Sequence, residues 1–265
     1  MITSTSNAKI KRLVQLKKKR KARDEEGVFL VEGIRMFRET PAERLAEVYV
    51  SQSFYEKELK TAGQMHEAGS VRPEVLSDSV FSYVSDTKTP QGVLCVVRQM
   101  DYTFEDVTGG SAPHLLILDN LQDPGNLGTI LRTAEGAGVT GILMSSGCVD
   151  MYNPKVIRST MGSVYRVPFY SAPDLADAIA KVKEKGIAAY AAHLEGSRDY
   201  DKEDYRKPCA FFIGNEGSGL RREIAAAADH YIKIPMCGQV ESLNAAVASA
   251  VLMFEVQRQR RKDNQ

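Results

Sequence analysis

The sequence is poor in cysteine, in long apolar runs and, at its start, in negative charge. Its four cysteines, Cys95, Cys148, Cys209 and Cys237, lie far apart with no CxxC spacing. That spacing excludes a disulfide scaffold, argues against a zinc site or other metal, and reads as reduced core thiols in a cytoplasmic protein. Apolar runs such as 93–97 and 115–118 fall far short of the roughly 20 residues that span a bilayer. No apolar stretch follows the early lysines, so neither a signal peptide nor a membrane partner is expected. The first 23 residues hold nine lysines and arginines and no acid. The other 26 basic side chains face all 34 acidic ones, so residues 24–265 sum to −8 although the whole chain is +1. A second basic cluster, Arg258, Arg260, Arg261 and Lys262, closes the chain. One such run is as well explained by a solvated helix. Two, on an otherwise acidic protein, favour a polyanion partner.

What is present is ordinary for a globular protein: 43% hydrophobic, 26% charged, 20 glycines and 10 prolines in 265 residues. Length favours two domains, each able to bury a core. A basic helix is predicted over 4–23, then strand 28–31, helix 33–39, strand 48–51, helix 53–68, extended chain 71–76, helix 79–85 and strand 93–97. This makes residues 1–98 a compact α/β domain. Residues 99–113 lose periodicity, contain Gly109-Gly110 and end in Pro113, so they are expected to be a linker. The second domain, 114–265, is predicted to hold strands 115–118, 141–145, 187–192, 209–213 and 231–234. Between them fall helices 127–137, 154–163, 174–185, 221–228 and 243–261. Strands apolar on both faces and separated by helices call for a parallel sheet covered on each side.

Three segments resist explanation as packing alone. In the first, Asn126 follows Asp123-Pro124-Gly125 and precedes a helix whose Leu127, Ile130, Leu131 and Ala134 form one apolar face. Helix capping is the plain reading of Asn126, and an exposed arginine that of Arg132 at the edge of that face. In the second, a strand runs into Gly214-Asn-Glu216-Gly217-Ser-Gly219. Glycines there let a ligand approach the backbone. The spacing is neither GxGxxG nor a P-loop, and Glu216 suits a cationic or hydroxyl-bearing ligand better than a phosphate. The third runs from Ile234 through Ser242, Leu243 and Asn244 into a small-residue helix, with Ser242 as the expected N-cap.

Together, Asn126 with LGTILRTAEGAG after it, IGNEGSGL at 213–220 and IPM…ESLNAAVA at 234–248 resemble the SpoU family of RNA ribose 2′-O-methyltransferases. The resemblance covers roughly 114–260. Residues 1–98, through VFLVEG at 28–33, are similar to the family's ribosomal-protein-like substrate-binding extension. The resemblance implies a trefoil-knotted, mainly parallel α/β domain, which general topology rules alone disfavour, and a homodimer. It also implies S-adenosyl-L-methionine (AdoMet) as cofactor, held by backbone groups at Gly214, Ile234 and Leu243, with the loop at 193–196 contributing. Asn126, Arg132, Glu216, Ser242 and Asn244 match the family's catalytic polar set. Structured RNA is the implied substrate, ribosomal RNA favoured over transfer RNA. A non-catalytic RNA-binding protein on the same fold, and a Rossmann-type enzyme using the 213–220 loop, remain as alternatives.

Overall fold

A computed structural model describes residues 1–62, 71–193 and 198–262; the end of predicted helix 53–68 and most of loop 193–196 lie outside them. In chain order the first elements are α1 (Ala8–Lys18), α2 (Arg20–Glu26), β1 (Val28–Glu32), α3 (Ile34–Glu39), β2 (Leu45–Ser51), α4 (Gln52–Ala62), β3 (Glu74–Leu76), α5 (Asp78–Val84) and β4 (Val93–Arg98). Next come α6 (Phe104–Thr108), β5 (His114–Leu118), α7 (Pro124–Ala137), β6 (Gly141–Ser145), α8 (Pro154–Thr160), β7 (Phe169–Ala172) and α9 (Leu175–Glu184). The chain ends with β8 (Ala188–Ala192), β9 (Arg198–Asp199), β10 (Cys209–Ile213), α10 (Arg222–Ala226), β11 (His230–Lys233) and α11 (Ala245–Lys262). Two compact units result. The first is 1–100 with 150–165, and the second is 101–149 with 166–265.

The first unit is built on a four-stranded sheet of order β1-β4-β2-β3, antiparallel except for the β2–β3 pair. Ile10, Leu13 and Leu16 of α1 meet Val80, Phe81 and Val84 of α5 over Leu30, Tyr49, Leu94 and Val96 of the sheet. The basic helix expected over 4–23 is two helices, broken at Lys19 in extended conformation. Its charges are also opposed, by carboxylates remote in sequence. Lys9 pairs with Glu74, Arg12 with Glu26 and Glu47, and Arg23, buried, with Asp150 at 2.5 Å. Arg23 also donates to the Leu16 carbonyl at 2.6 Å.

The second unit carries a seven-stranded sheet of order β7-β6-β5-β10-β8-β11-β9, every pair parallel. This is the α/β architecture expected, and its strand order is consistent with the trefoil that the resemblance implies. Two boundaries differ from expectation. Residues 99–113 hold α6, begun by a reciprocal Thr103/Asp106 capping box, and its fully buried Val107 packs so closely on β6 that only glycine fits at position 141. Segment 150–165, expected in the second domain, folds with the first unit, where Tyr152 stacks near Phe29 and accepts from the Met100 amide at 2.8 Å. Cys95, Cys148 and Cys209 are buried as expected, with burial pushing the Cys209 thiol up to about 12, but Cys237 is exposed. Among the described residues no cluster of His, Cys, Asp and Glu could hold a metal, and no helix is long and apolar enough to cross a membrane.

Candidate functional site

Parallel strands present their unpaired C-terminal ends at one edge of the sheet, where ligands of such folds bind. In the second unit the ends of β8, β10 and β11 open into a cleft of about 980 Å³, at the upper end of the range for small-molecule sites. Its walls are Ala192 and His193, the loop Ile213–Leu220, and the stretches 232–236 and 241–245. Gly214, Ile234, Leu243, Glu216, Ser242 and Asn244 are therefore gathered around one cavity. The backbone from 234 to 243 makes no hydrogen bond among the described residues, so its amides and carbonyls are available to a ligand. Glu216 and Glu241 put carboxylates on the wall, while Asp199 there is paired with Lys233 at 4.0 Å; the net negative charge suits a ligand bearing positive charge. This donor set fits AdoMet, whose sulfonium is cationic and whose polar edges a backbone can read.

The loop itself is tightly made. Asn215 and Gly219 exchange backbone hydrogen bonds at 3.0 and 2.9 Å, and the Asn215 Oδ1 accepts from the amides of Gly217 and Ser218. A Cβ at Gly214 would lie 2.2 Å from the Gly219 carbonyl carbon and 2.3 Å from the Leu220 nitrogen. The glycine is thus required first by the loop's own return and not by a ligand. Beneath it Asp119, fully buried at the tip of β5, is gripped by Arg221 through Nε at 2.9 Å, Nη2 at 2.8 Å and the Arg221 amide at 3.0 Å. Asp119 and Arg221 were not singled out from the sequence. A lone acid closing the all-apolar strand LLIL was the available signal.

Glu216 accepts three hydrogen bonds, from the amides of Gln122 at 3.0 Å and Asp123 at 2.9 Å and from Asn126 Nδ2 at 3.0 Å. Partial burial works to raise its pKa. The donors, Asn126 foremost, outweigh that and hold the carboxyl below its ordinary range. Asn126 Oδ1 in turn accepts from Asn244 Nδ2 at 2.9 Å. The capping readings are corrected here. Asp123 caps α7, accepting from the Asn126 amide at 2.8 Å, and Asn244, not Ser242, caps α11 by accepting from Ala246 and Val247. Asn126 is released from capping and joins the two other loops. Arg132 is not brought to this cluster. It is exposed on α7 and makes no hydrogen bond or ion pair among the described residues.

Fold and cleft together define an α/β protein whose irregular loops open into one cleft, with polar side chains at its rim. Residues 113–254 match the SpoU rRNA Methylase family, and residues 7–95 match the MRM3-like substrate binding domain. The chain is 34% identical over 263 residues to an uncharacterized tRNA/rRNA methyltransferase of Synechocystis, covering 97% of this chain and 93% of the relative. It is 31% identical over 260 residues to the 23S rRNA (guanosine(2553)-2′-O)-methyltransferase RlmP of Bacillus subtilis, covering 96% and 98%. The AdoMet-bound rRNA methyltransferase of Sinorhizobium meliloti superposes with a TM-score of 0.82 at 29% identity over 97% of both chains. The chain belongs to the SpoU rRNA methylase family.

Proposed function

We propose that this chain methylates a ribose 2′-hydroxyl in ribosomal RNA, in the cytoplasm and as a homodimer. Its family makes it an AdoMet-dependent RNA ribose 2′-O-methyltransferase. Ribosomal RNA is favoured over transfer RNA by the likeness to RlmP over 98% of that enzyme's length. The observation that carries the site is the chain Asn244–Asn126–Glu216, which ties three loops together at the rim of one cleft.

AdoMet, when bound, supplies a methyl group made electrophilic by its sulfonium. Gly214, Ile234 and Leu243 hold the cofactor through their backbone groups, beside the Glu216 and Glu241 carboxylates. Ser242 and Asn244 hold the ribose, and Glu216 fixes the Asn126 amide. Orientation of two reactants is itself worth on the order of 7–11 kcal/mol. Arg132 grips the phosphate next to the target through its bidentate guanidinium and eases deprotonation of the 2′-hydroxyl, whose proton passes to water.

Arg132 lies six residues beyond Asn126, about 9 Å along the helix axis. Beside α7, α11 leaves Val247 and Phe254 about half exposed, at 50% and 46% and seven residues apart. An apolar stripe of this kind suits a second copy, and supports a homodimer in which Arg132 serves the partner's cleft. Incubating the protein and labelled AdoMet with unmodified ribosomal and transfer RNA tests the target. Label entering ribosomal RNA alone is expected, and label entering transfer RNA alone would overturn the assignment.

A further inference from the structure

Because five of the nine early basic side chains, Lys9, Arg12, Arg20, Lys21 and Arg23, are spent on internal ion pairs, the RNA-facing charge of the first unit must be sought largely outside this run. At one end of its sheet, residues 17–18, 32–39, 85–91 and 154–160 come together. Lys17 donates to the Ser85 carbonyl at 2.9 Å, and Glu32 accepts from Ser85 Oγ, Thr87 Oγ1 and the Asp86 amide. Gln91 Oε1 accepts from the Ile34 amide at 3.0 Å, and Arg158 pairs with Asp86 at 3.4 Å. Lys17, Glu32, Met36, Asp86 and Arg158 line one small cavity there. These four segments hold seven basic and three acidic side chains. Glu32 and Asp86 are already satisfied. By contrast Lys18, Arg35, Arg38, Lys88 and Lys155 are exposed, and their side chains make no hydrogen bond or ion pair among the described residues. Tyr83, 54% exposed, stands on the same rim, its carbonyl facing the Lys17 ammonium.

We infer that this end of the sheet is the surface on which the first unit grips structured RNA, its cations on phosphates and Tyr83 under an unpaired base. The inference rests on the RNA methyltransferase reading and adds where the substrate lies. Unpaired cations neutralise phosphates at no cost in broken protein pairs, and a nearby ring stacks a base without sequence preference. The two contributions respond differently to salt. Each phosphate contact contributes about −0.7 to −0.9 to the log–log salt slope, whereas stacking contributes almost nothing to it.

The test measures affinity of the full-length protein for a fluorescent RNA stem-loop between 50 and 200 mM salt. Replacing Arg35, Arg38, Lys88 and Lys155 together by Gln should flatten the slope by roughly 3 units, so that the wild type's affinity falls on the order of 100-fold more across that range. Tyr83→Ala should weaken binding roughly 5- to 150-fold and leave the slope unchanged. A control replaces Lys11 and Arg72 by Gln, exposed cations toward the opposite edge of the sheet, at β3, where Lys9 pairs with Glu74. Every variant should keep the wild-type AdoMet affinity. A quadruple variant whose slope superimposes on the wild type's, or a control that flattens equally, overturns the surface. A wild-type protein that binds AdoMet and no RNA overturns the underlying reading instead.

Discussion

Asn126 occupies the third position of α7, where its amide is already bonded to Asp123 and its side chain is spare. Glu216 takes the Nδ2 end and Asn244 the Oδ1 end, so the carboxamide has one orientation. The Arg132 side chain has no such partners among the described residues. Arg132→Ala should lower methyl transfer on the order of 10²- to 10⁴-fold while AdoMet affinity by calorimetry stays near wild type. Arg132→Lys should rescue little, because an ammonium lacks the bidentate fork; near-normal turnover in either variant removes Arg132 from the mechanism. His114 makes a separate claim about stability. It is 1% exposed, its Nε2 has no partner among the described residues, and burial, helped by the Arg260 charge, holds its pKa down at about 3. The unfolded residue titrates near 6.5. Between the two values the unfolded chain binds more protons, so stability rises with pH and is lost as pH falls below about 6.5. Passing from pH 7 to pH 5 should cost about 2 kcal/mol through this one residue. Urea unfolding at the two pH values should show that loss shrink in His114→Phe, and an equal loss in both proteins would refute the assignment.

The loop 213–220 shows how an element can be required by itself and still serve a ligand. A Cβ at Gly214 would overlap backbone atoms of Gly219 and Leu220, whereas one at Gly217 meets only Asn215 Oδ1, at 3.6 Å. Gly214→Ala should therefore destabilise the protein by about 1–3 kcal/mol and weaken AdoMet, while Gly217→Ala should melt close to wild type. Equal melting temperatures for the two variants would mean the loop is not packed as described. The same loop marks the limit of reading elements from sequence. Strands β5, β6 and β10 were legible because each is a short apolar run, and α7 because its apolar face repeats at helical spacing. Helix α6 was not, since five residues give no period, although its Thr-x-x-Asp capping box was there to be read. The break at Lys19 was hidden for another reason: both halves are basic, and only burial of Leu16 and Arg23 separates them.

At the scale of the whole chain, charge counted along the sequence misleads because pairing is a property of the fold. The early basic run looked unopposed, yet Glu26, Glu47, Glu74 and Asp150 answer it. Removing residues 1–23 should thus do more than weaken RNA binding. It deletes Ile10, Leu13 and Leu16, each worth roughly 1.5–3 kcal/mol of burial, and strands Asp150 without its partner. Loss of the first unit's cooperative melt by circular dichroism is expected, and a truncated protein melting like the full chain would contradict it. The motifs of the second unit were legible as a set, because order and spacing of three segments carry more information than any one. The segments that join the loops into a site, Asp119 with Arg221 and Asn126 with Asn244, were not, because their partners lie more than 100 residues apart. The most direct measurement of the chemistry is to incubate the protein with AdoMet and unmodified ribosomal RNA and map the RNA by partial alkaline hydrolysis. Ribose methylation should leave one phosphodiester resistant to alkali, and only when AdoMet is present. A methyl group found on a base, with every phosphodiester still cleaved, would contradict a cleft built to deliver it to a 2′-hydroxyl.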